Sequence, residues 1–245
     1  MSTSEMIEQT ARRRLEYRSL PVPLPVLPPR LAAGARPHGL APNELVKLHH
    51  SLAETLDTDQ GVIAQFLAPE PDAAIEAVVY DLAYITAAWL GKRVLFVNGV
   101  NMKPESGDSS ARRLEPVLAG QPGVIDLDAA ITRIVGLDLY QMTFPSMCGA
   151  LDLAPTLRWM PEFLDRLRDR FDLVVIASPP ASEAPMGMLL SRFVDGNILV
   201  LQAGRTRAPV AAELRDSLNA SGGAVVGAVL TRYRTFVPRF LRRWL

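Results

Sequence analysis

Three stretches of this chain have the spacing at which phosphate chemistry is expected, and in each the charged group is missing. Residues 68–77 read APEPDAAIEA directly after an apolar run. A phosphate loop at such a point reads GxxxxGK[ST], with backbone amides and a lysine around the phosphates. Here there is neither glycine nor lysine, and the ionisable groups are acids, Asp72 and Glu76 among them. Counting back from the next strand places Glu76 within a residue or two of the lysine position. Two unit charges about 4 Å apart interact by roughly 4 kcal/mol at an effective dielectric of about 20. A carboxylate there repels a triphosphate, and the half-charge of a helix dipole does not compensate. Residues 94–104, VLFVNGVNMKP, offer only Asn98, Val100 and Lys103. Residues 171–180 read FDLVVIASPP, and where a magnesium-binding aspartate would end the apolar run stands Ala177. Gly91-Lys92 precedes a strand rather than opening a helix, so it reads as a helix-to-strand turn.

The elements that would position these residues follow from the apolar pattern. The run at 173–176 lies between a charged helix and a double proline, which suits a central strand of a parallel sheet. Further strands are expected at 62–67, 94–97, 137–142, 198–202 and 224–230. Helices are expected from Pro42, at 71–90, 155–170, around 186–193, and at 206–219, with a short helix and turn before 137. Ile75, Val78, Val79, Leu82, Ile85 and Trp89 form one stripe of the second helix, and Leu157, Met160, Leu164 and Leu167 the inward face of another. This alternation predicts an α/β fold: a doubly wound, mostly parallel sheet in three α/β/α layers. Ligands of such sheets sit outside the carboxyl ends of the strands.

Composition bounds the rest. With 245 residues, 49% of them hydrophobic, the chain can bury one substantial core. Lys+Arg and Asp+Glu both number 26, so no global charge draws it to nucleic acid. The single cysteine, Cys148, fits a reducing compartment. No apolar run of about 18 residues would span a membrane, and the first residues lack the apolar core of a secretory signal. A cytoplasmic protein is expected, in three parts: a basic arm and proline-rich linker at 1–40, an α/β domain at 41–231, and a basic tail at 232–245. The arm carries Arg12, Arg13, Arg14 and Arg18, and reads as solvated or as a contact for acidic lipid. Prolines 21, 23, 25, 28 and 29 require an extended spacer. In the tail, Arg232, Arg234, Arg239, Arg242 and Arg243 accompany Phe240, Leu241, Trp244 and Leu245, which share a face of a short helix. Two readings stand: a docked terminal helix with solvated arginines, or an anchor on an anionic lipid surface. His38, His49 and His50 lack a set of metal partners, so no metal is expected. Asp57 and Asp59, like Asp126 and Asp128, read as turn residues, and the loop 105–113 as solvated or phosphorylatable. No basic stripe with interleaved aromatics suggests nucleic acid.

Taken together, Asn98-Gly99-Val100 with Lys103-Pro104, Ala177-Ser178-Pro179-Pro180, the segments 194–200 and 202–207, and Gly227-Ala228-Val229-Leu230 resemble, in order and spacing, the bacterial tyrosine kinases of capsule and exopolysaccharide assembly. Those are relatives of the deviant-Walker partition ATPases. The likeness spans roughly 41–231 and implies a P-loop NTPase-like fold. Where the family has Asp-x-Asp and Asp-Thr-Pro-Pro, this chain has Asn98-Gly99-Val100 and Ala177-Ser178-Pro179-Pro180. Glu44, Lys47 and His50 hold the spacings of the family's Glu-x-x-Arg-x-x-Arg, which serves ring assembly. The family's C-terminal tyrosine cluster is absent, since Tyr233 is the only tyrosine after Tyr140. With the phosphate lysine, its glycines, both paired aspartates and the magnesium aspartate gone together, little remains to hold a metal or neutralise charge. The resemblance therefore implies a non-catalytic regulator or scaffold of exopolysaccharide export that needs no cofactor. It would lie on the cytoplasmic face of the inner membrane, bind a membrane polysaccharide co-polymerase, and form homo- or hetero-oligomers. The alternative is an active tyrosine kinase or ATPase, using ATP and magnesium in an atypical site completed by a partner. A third reading is a membrane-positioning protein of the partition type.

Overall fold

A strand paired on both edges and covered by helices on both faces has no use for polar alternation. The strand β5 (Leu173–Ala177), all five residues buried, is such a strand. The computed structural model describes residues 40–56, 60–72, 74–100, 127–143 and 153–233, the side chains of 128, 129 and 153–159 excepted. Around β5 the elements run α1 (Pro42–Thr55), β1 (Val62–Leu67), α2 (Ala74–Leu90), β2 (Val94–Asn98), α3 (Leu127–Ala130), β3 (Thr132–Arg133) and β4 (Leu139–Thr143). Then come α4 (Leu153–Arg170), β5, α5 (Met186–Leu190), β6 (Gly196–Gln202), α6 (Ala208–Ala220) and β7 (Val225–Thr231). The seven strands lie in the order β3-β4-β2-β5-β1-β6-β7. All pairs are parallel except β3 with β4.

Register fixes where chemistry would sit. Leu173 of β5 is level with Val62 of β1 and with Val94 of β2. At the other end Ala177 is level with both Phe66 and Asn98. The loops after β1, β2 and β5 therefore leave the sheet side by side.

The sheet divides the core in two. Ala64, Phe66, Val94, Phe96, Val175 and Ala177 face α1 and α2. Ile63, Leu95, Val97, Val174 and Ile176 face α4 and α5. Each fully buried Val, Leu, Ile or Phe stabilises by about 1.5–3 kcal/mol, and Phe66, Ile63, Leu95 and Val174 are all sealed from solvent. The helix α2 is buried over most of its circumference, with Ala77, Ala83, Thr86 and Ala87 inside as well as most of the expected stripe. The reason is α1, whose Leu45 and Leu52, with Leu56 just after the helix, join the same core. Trp89, expected on the buried stripe, is 39% exposed at the last turn of α2. The helix α4 turns Met160, Phe163, Leu164 and Leu167 inward, while Leu157 lies among the side chains outside the description. The two-residue β3 is too short to leave a period in the sequence, and both its residues are exposed.

At the amino ends of the strands, a partly buried ion pair joins three elements. Asp195 Oδ2 accepts from the Ile63 N–H at 2.7 Å, and Asp195 Oδ1 accepts from Arg168 Nη2 at 2.9 Å. The same guanidinium nitrogen donates to the Phe193 carbonyl at 3.1 Å. β1, α4 and the approach to β6 are thus pinned through one carboxylate. Hydrogen bonds to a charged group contribute about 1.5–3 kcal/mol. Asp195→Ala is expected to lower unfolding free energy by about 2–3 kcal/mol, read as a lower urea midpoint at unchanged slope.

Candidate functional site

Three strand ends meet at one level, and the residues there are occupied with one another. The loop after β1 is Ala68-Pro69-Glu70-Pro71-Asp72. A phosphate cradle is built from converging backbone N–H groups, yet Pro69 and Pro71 have none to give. The carbonyls of Ala68 and Pro69 instead accept from the N–H groups of Ala181 (3.0 Å) and Ser182 (3.2 Å) in the loop after β5. Ser178 N–H donates to the Phe66 carbonyl at 3.0 Å, so the β1–β5 ladder continues past the strands.

Asp72 is the centre of this end. A helix N-terminus leaves backbone N–H groups unsatisfied and carries partial positive charge, which suits an anion. Here the anion is internal. Asp72 Oδ1 accepts from the Ala74 N–H at 2.9 Å, and the Asp72 carbonyl accepts from the Ile75 N–H at 3.1 Å. Asp72 Oδ2 lies 3.2 Å from the Thr231 hydroxyl at the end of β7. That hydroxyl also lies 3.3 Å from the Leu201 carbonyl. It has one proton to give, and the carboxylate is the stronger and nearer acceptor. Arg232 follows with its guanidinium 3.9 Å from Asp72 Oδ1 and a left-handed backbone, φ 55°. The Asp72 side chain is only 7% exposed. Starting at Ala74, α2 is shorter than the expected 71–90 because Asp72 caps it.

The other expected positions fall as follows. Glu76 lies in the first turn of α2, half-buried. Asn98 Oδ1 accepts from the Val100 N–H at 3.0 Å, a local turn, and half-buried Val100 packs against the α2-side core. Gly99 N–H donates to the Ala177 carbonyl at 2.8 Å, and a Cβ on Gly99 would stand 2.9 Å from that oxygen. Ala177 is wholly buried, its side chain in the α2-side core. Lys103 lies outside the described residues, as do Cys148, His38, Asp57, Asp59, Asp126, the loop 105–113, the arm, and tail residues Arg234, Arg239, Phe240, Arg242, Arg243 and Trp244. The side chain of Asp128 also lies outside them. Register thus brings Asp72, Asn98 and Ala177 to one end of the sheet. Among the described residues the donor set there does not suit a magnesium–triphosphate: prolines and carbonyl oxygens stand where N–H groups are needed, and a carboxylate where phosphate would lie. The part played by Pro69, Pro71 and Thr231 escaped the sequence reading; the proline imino groups were the available signal.

Glu44, Lys47 and His50 are all exposed on α1. Glu44 Oε2 accepts from the Ala41 N–H at 2.6 Å and so closes its own helix N-terminus. His50 faces Glu54 at 4.0 Å. His49, beside it, is half-buried with Nδ1 3.3 Å from the Thr86 hydroxyl. Among the described residues no group of three or more His, Cys, Asp or Glu side chains could hold a metal. No described helix is long and apolar enough to cross a membrane.

The architecture is the P-loop NTPase-like α/β fold. Among solved structures the chain is similar to the kinase domain of Escherichia coli tyrosine kinase ETK, with 22% identity, 81% of this chain and 79% of that one covered, and a TM-score of 0.64. It is also similar to the cell division ATPase MinD of Pyrococcus furiosus, at 19% identity over 69% of this chain and 71% of that one, TM-score 0.53. In sequence, 73 residues are 26% identical to tyrosine-protein kinase YwqD of Bacillus subtilis (strain 168), 30% of this chain and 31% of that protein. The chain thus matches under a third of that relative's length. No protein-family model matches the chain. The fold expected from the motif order is the one observed, and its neighbours are tyrosine kinase domains and MinD-type ATPases.

Two outcomes follow from these contacts. Asp72→Ala should cost about 1 kcal/mol or somewhat more, the usual worth of a helix cap, seen as a lower thermal midpoint, with Asp72→Asn keeping most of the wild-type stability because its amide oxygen can still accept from the Ala74 N–H. Burial first, then Lys92, then His50, holds His49 below its ordinary 6.5. The unfolded chain therefore binds more protons just below pH 6.5, and its stability must fall as pH drops through that value. His49→Gln should flatten this limb of the denaturation midpoint between about pH 7.5 and 5.5.

Proposed function

We propose that this chain is a non-catalytic relative of the bacterial tyrosine kinases of polysaccharide assembly, acting as a regulatory or scaffold subunit. One observation carries the reading: the Asp72 carboxylate, held by Thr231 and Arg232, lies on the N-terminus of α2, where kinases of this fold need phosphate. The buried Ala177 and the self-bonded Asn98 support it: Ala177 has no side-chain oxygen to offer magnesium, and the Asn98 Oδ1, already accepting from the Val100 N–H, is a neutral oxygen rather than a carboxylate. Phosphoryl transfer depends on positioning and charge stabilisation by those groups. The partner is a membrane polysaccharide co-polymerase, bound at the cytoplasmic face of the inner membrane. The exposed face of α1 bearing Lys47 and His50 would meet that partner or another subunit, and the basic residues from Arg232 to Arg243 would face it or anionic lipid.

Calorimetric titration with ATP, with and without magnesium, tests the first half. No heat of binding at millimolar nucleotide is expected, from the wild type or from Ala177→Asp; magnesium-dependent binding or tyrosine phosphorylation overturns the reading in favour of an active kinase. Capture from a polysaccharide-producing strain tests the second. The co-polymerase should be retained by the wild type and lost or weakened with Lys47→Glu/His50→Glu; its absence from the wild-type capture removes the proposed partner.

A further inference from the structure

The amino end of the sheet, opposite the strand ends described above, borders a cavity. α1, the start of β1, the α2–β2 turn and the end of α4 line a half-open cleft of about 510 Å³, within the range of small-molecule sites. Its apolar wall includes Leu52, Leu56, Val62 and Phe171. The backbone behind it is fixed: a Cβ on Gly61 would lie 1.9 Å from the Phe171 carbonyl oxygen. Two of its three cations are already committed. Arg168 is bound to Asp195 and Asp165, and Arg93 to Asp172. Lys92 lines the same cavity and has no ion-pair partner among the described residues. His49 lines it too, its Nδ1 held by Thr86.

We propose that this cavity binds a small organic monoanion, a carboxylate with a short hydrocarbon body, the head on Lys92 and His49 and the body on Leu56, Val62 and Phe171. The lining is mixed, and Leu52, Leu56, Val62 and Phe171 give the hydrocarbon part of a ligand a place to lie. The spare ammonium and the imidazole together provide donors for a carboxylate. Asp169, exposed and at the same cavity, and Asp172, already neutralised by Arg93, oppose a second negative charge. A carboxylate is therefore preferred over a dianionic phosphate. The ionisable groups that line the cavity with His49 are Lys92, Arg93, Arg168, Asp169 and Asp172, and His50 lies beside it on its own helix. Burial and the two cationic neighbours, Lys92 and His50, disfavour its protonation. A bound carboxylate reverses that, so binding tightens as pH falls through the titration of His49.

The test follows the histidine ring protons of the full chain by NMR, with His49→Gln supplying the assignment. Hexanoate is expected to shift the His49 signal saturably and raise its titration midpoint, while exposed His50 stays put. Lys92→Ala should weaken hexanoate about tenfold, the loss of one charge-assisted contact, and Lys92→Arg should restore most of it. A circular dichroism melt establishes that each variant is folded. Hexyl phosphate should bind more weakly than hexanoate, and hexanol should leave the midpoint unmoved. An unmoved His49 signal, an undiminished response in folded Lys92→Ala, or an equal effect of hexanol overturns the proposal.

Discussion

The carboxylate of Asp72 on the first turn of α2 is the contact around which the carboxyl end of the sheet is arranged. A helix start that enters the core must have its N–H groups answered, since a buried orphan donor costs about 1–3 kcal/mol. Asp72 answers one with its side chain and another with its carbonyl. Being almost buried, the carboxylate must itself be answered, and it draws on Thr231 and Arg232 from the far side of β6. The last strand is thereby tied to the first helix crossover. The left-handed Arg232 directs the chain out of β7 at that contact.

The loop after β1 serves the same arrangement. Its two prolines withhold N–H groups, and its carbonyls are taken by the loop after β5. Gln65 adds a side-chain link, its Nε2 donating to the Gly187 carbonyl at 2.7 Å and so fixing α5 against β1. Gly187 allows that approach, because a Cβ there would be 2.5 Å from Leu67 Cδ1. This end of the molecule is held together by neutral backbone contacts and one internal acid.

The amino end is held by charge. Arg168 with Asp195, and Arg93 with Asp172, bracket β1 and β5 where the strands begin. These pairs use up two guanidinium groups and leave one ammonium and one imidazole beside a cavity. The two ends differ in what is left over: at the carboxyl end Asp72 is engaged and the buried Ser178 hydroxyl and Gln65 Oε1 have no hydrogen-bond partner among the described residues, while the amino end retains a cation beside a cavity of mixed lining. A ligand in the proposed cavity would lie at the end opposite to the usual one in open α/β sheets.

The sequence by itself determined the strand and helix alternation, because a five-residue apolar run such as Leu173–Ala177 and a long helix such as α2 are local patterns that burial demands. It also shows which residue types stand at the motif positions, Asn98 and Ala177 among them, since residue identity does not depend on folding. Boundaries were off by a few residues where the deciding partner was distant, as with Asp72 shortening α2. Trp89 was assigned to the core because a helical period does not reveal that a second helix, α1, shares the burial. What only the tertiary structure decided is the meaning of the residues that remain. Asp72 and Thr231 are 159 positions apart and meet across a parallel sheet; His49, Lys92 and Phe171 reach one cavity from three separate elements. Contacts of that kind depend on strand order and register, which no local pattern encodes.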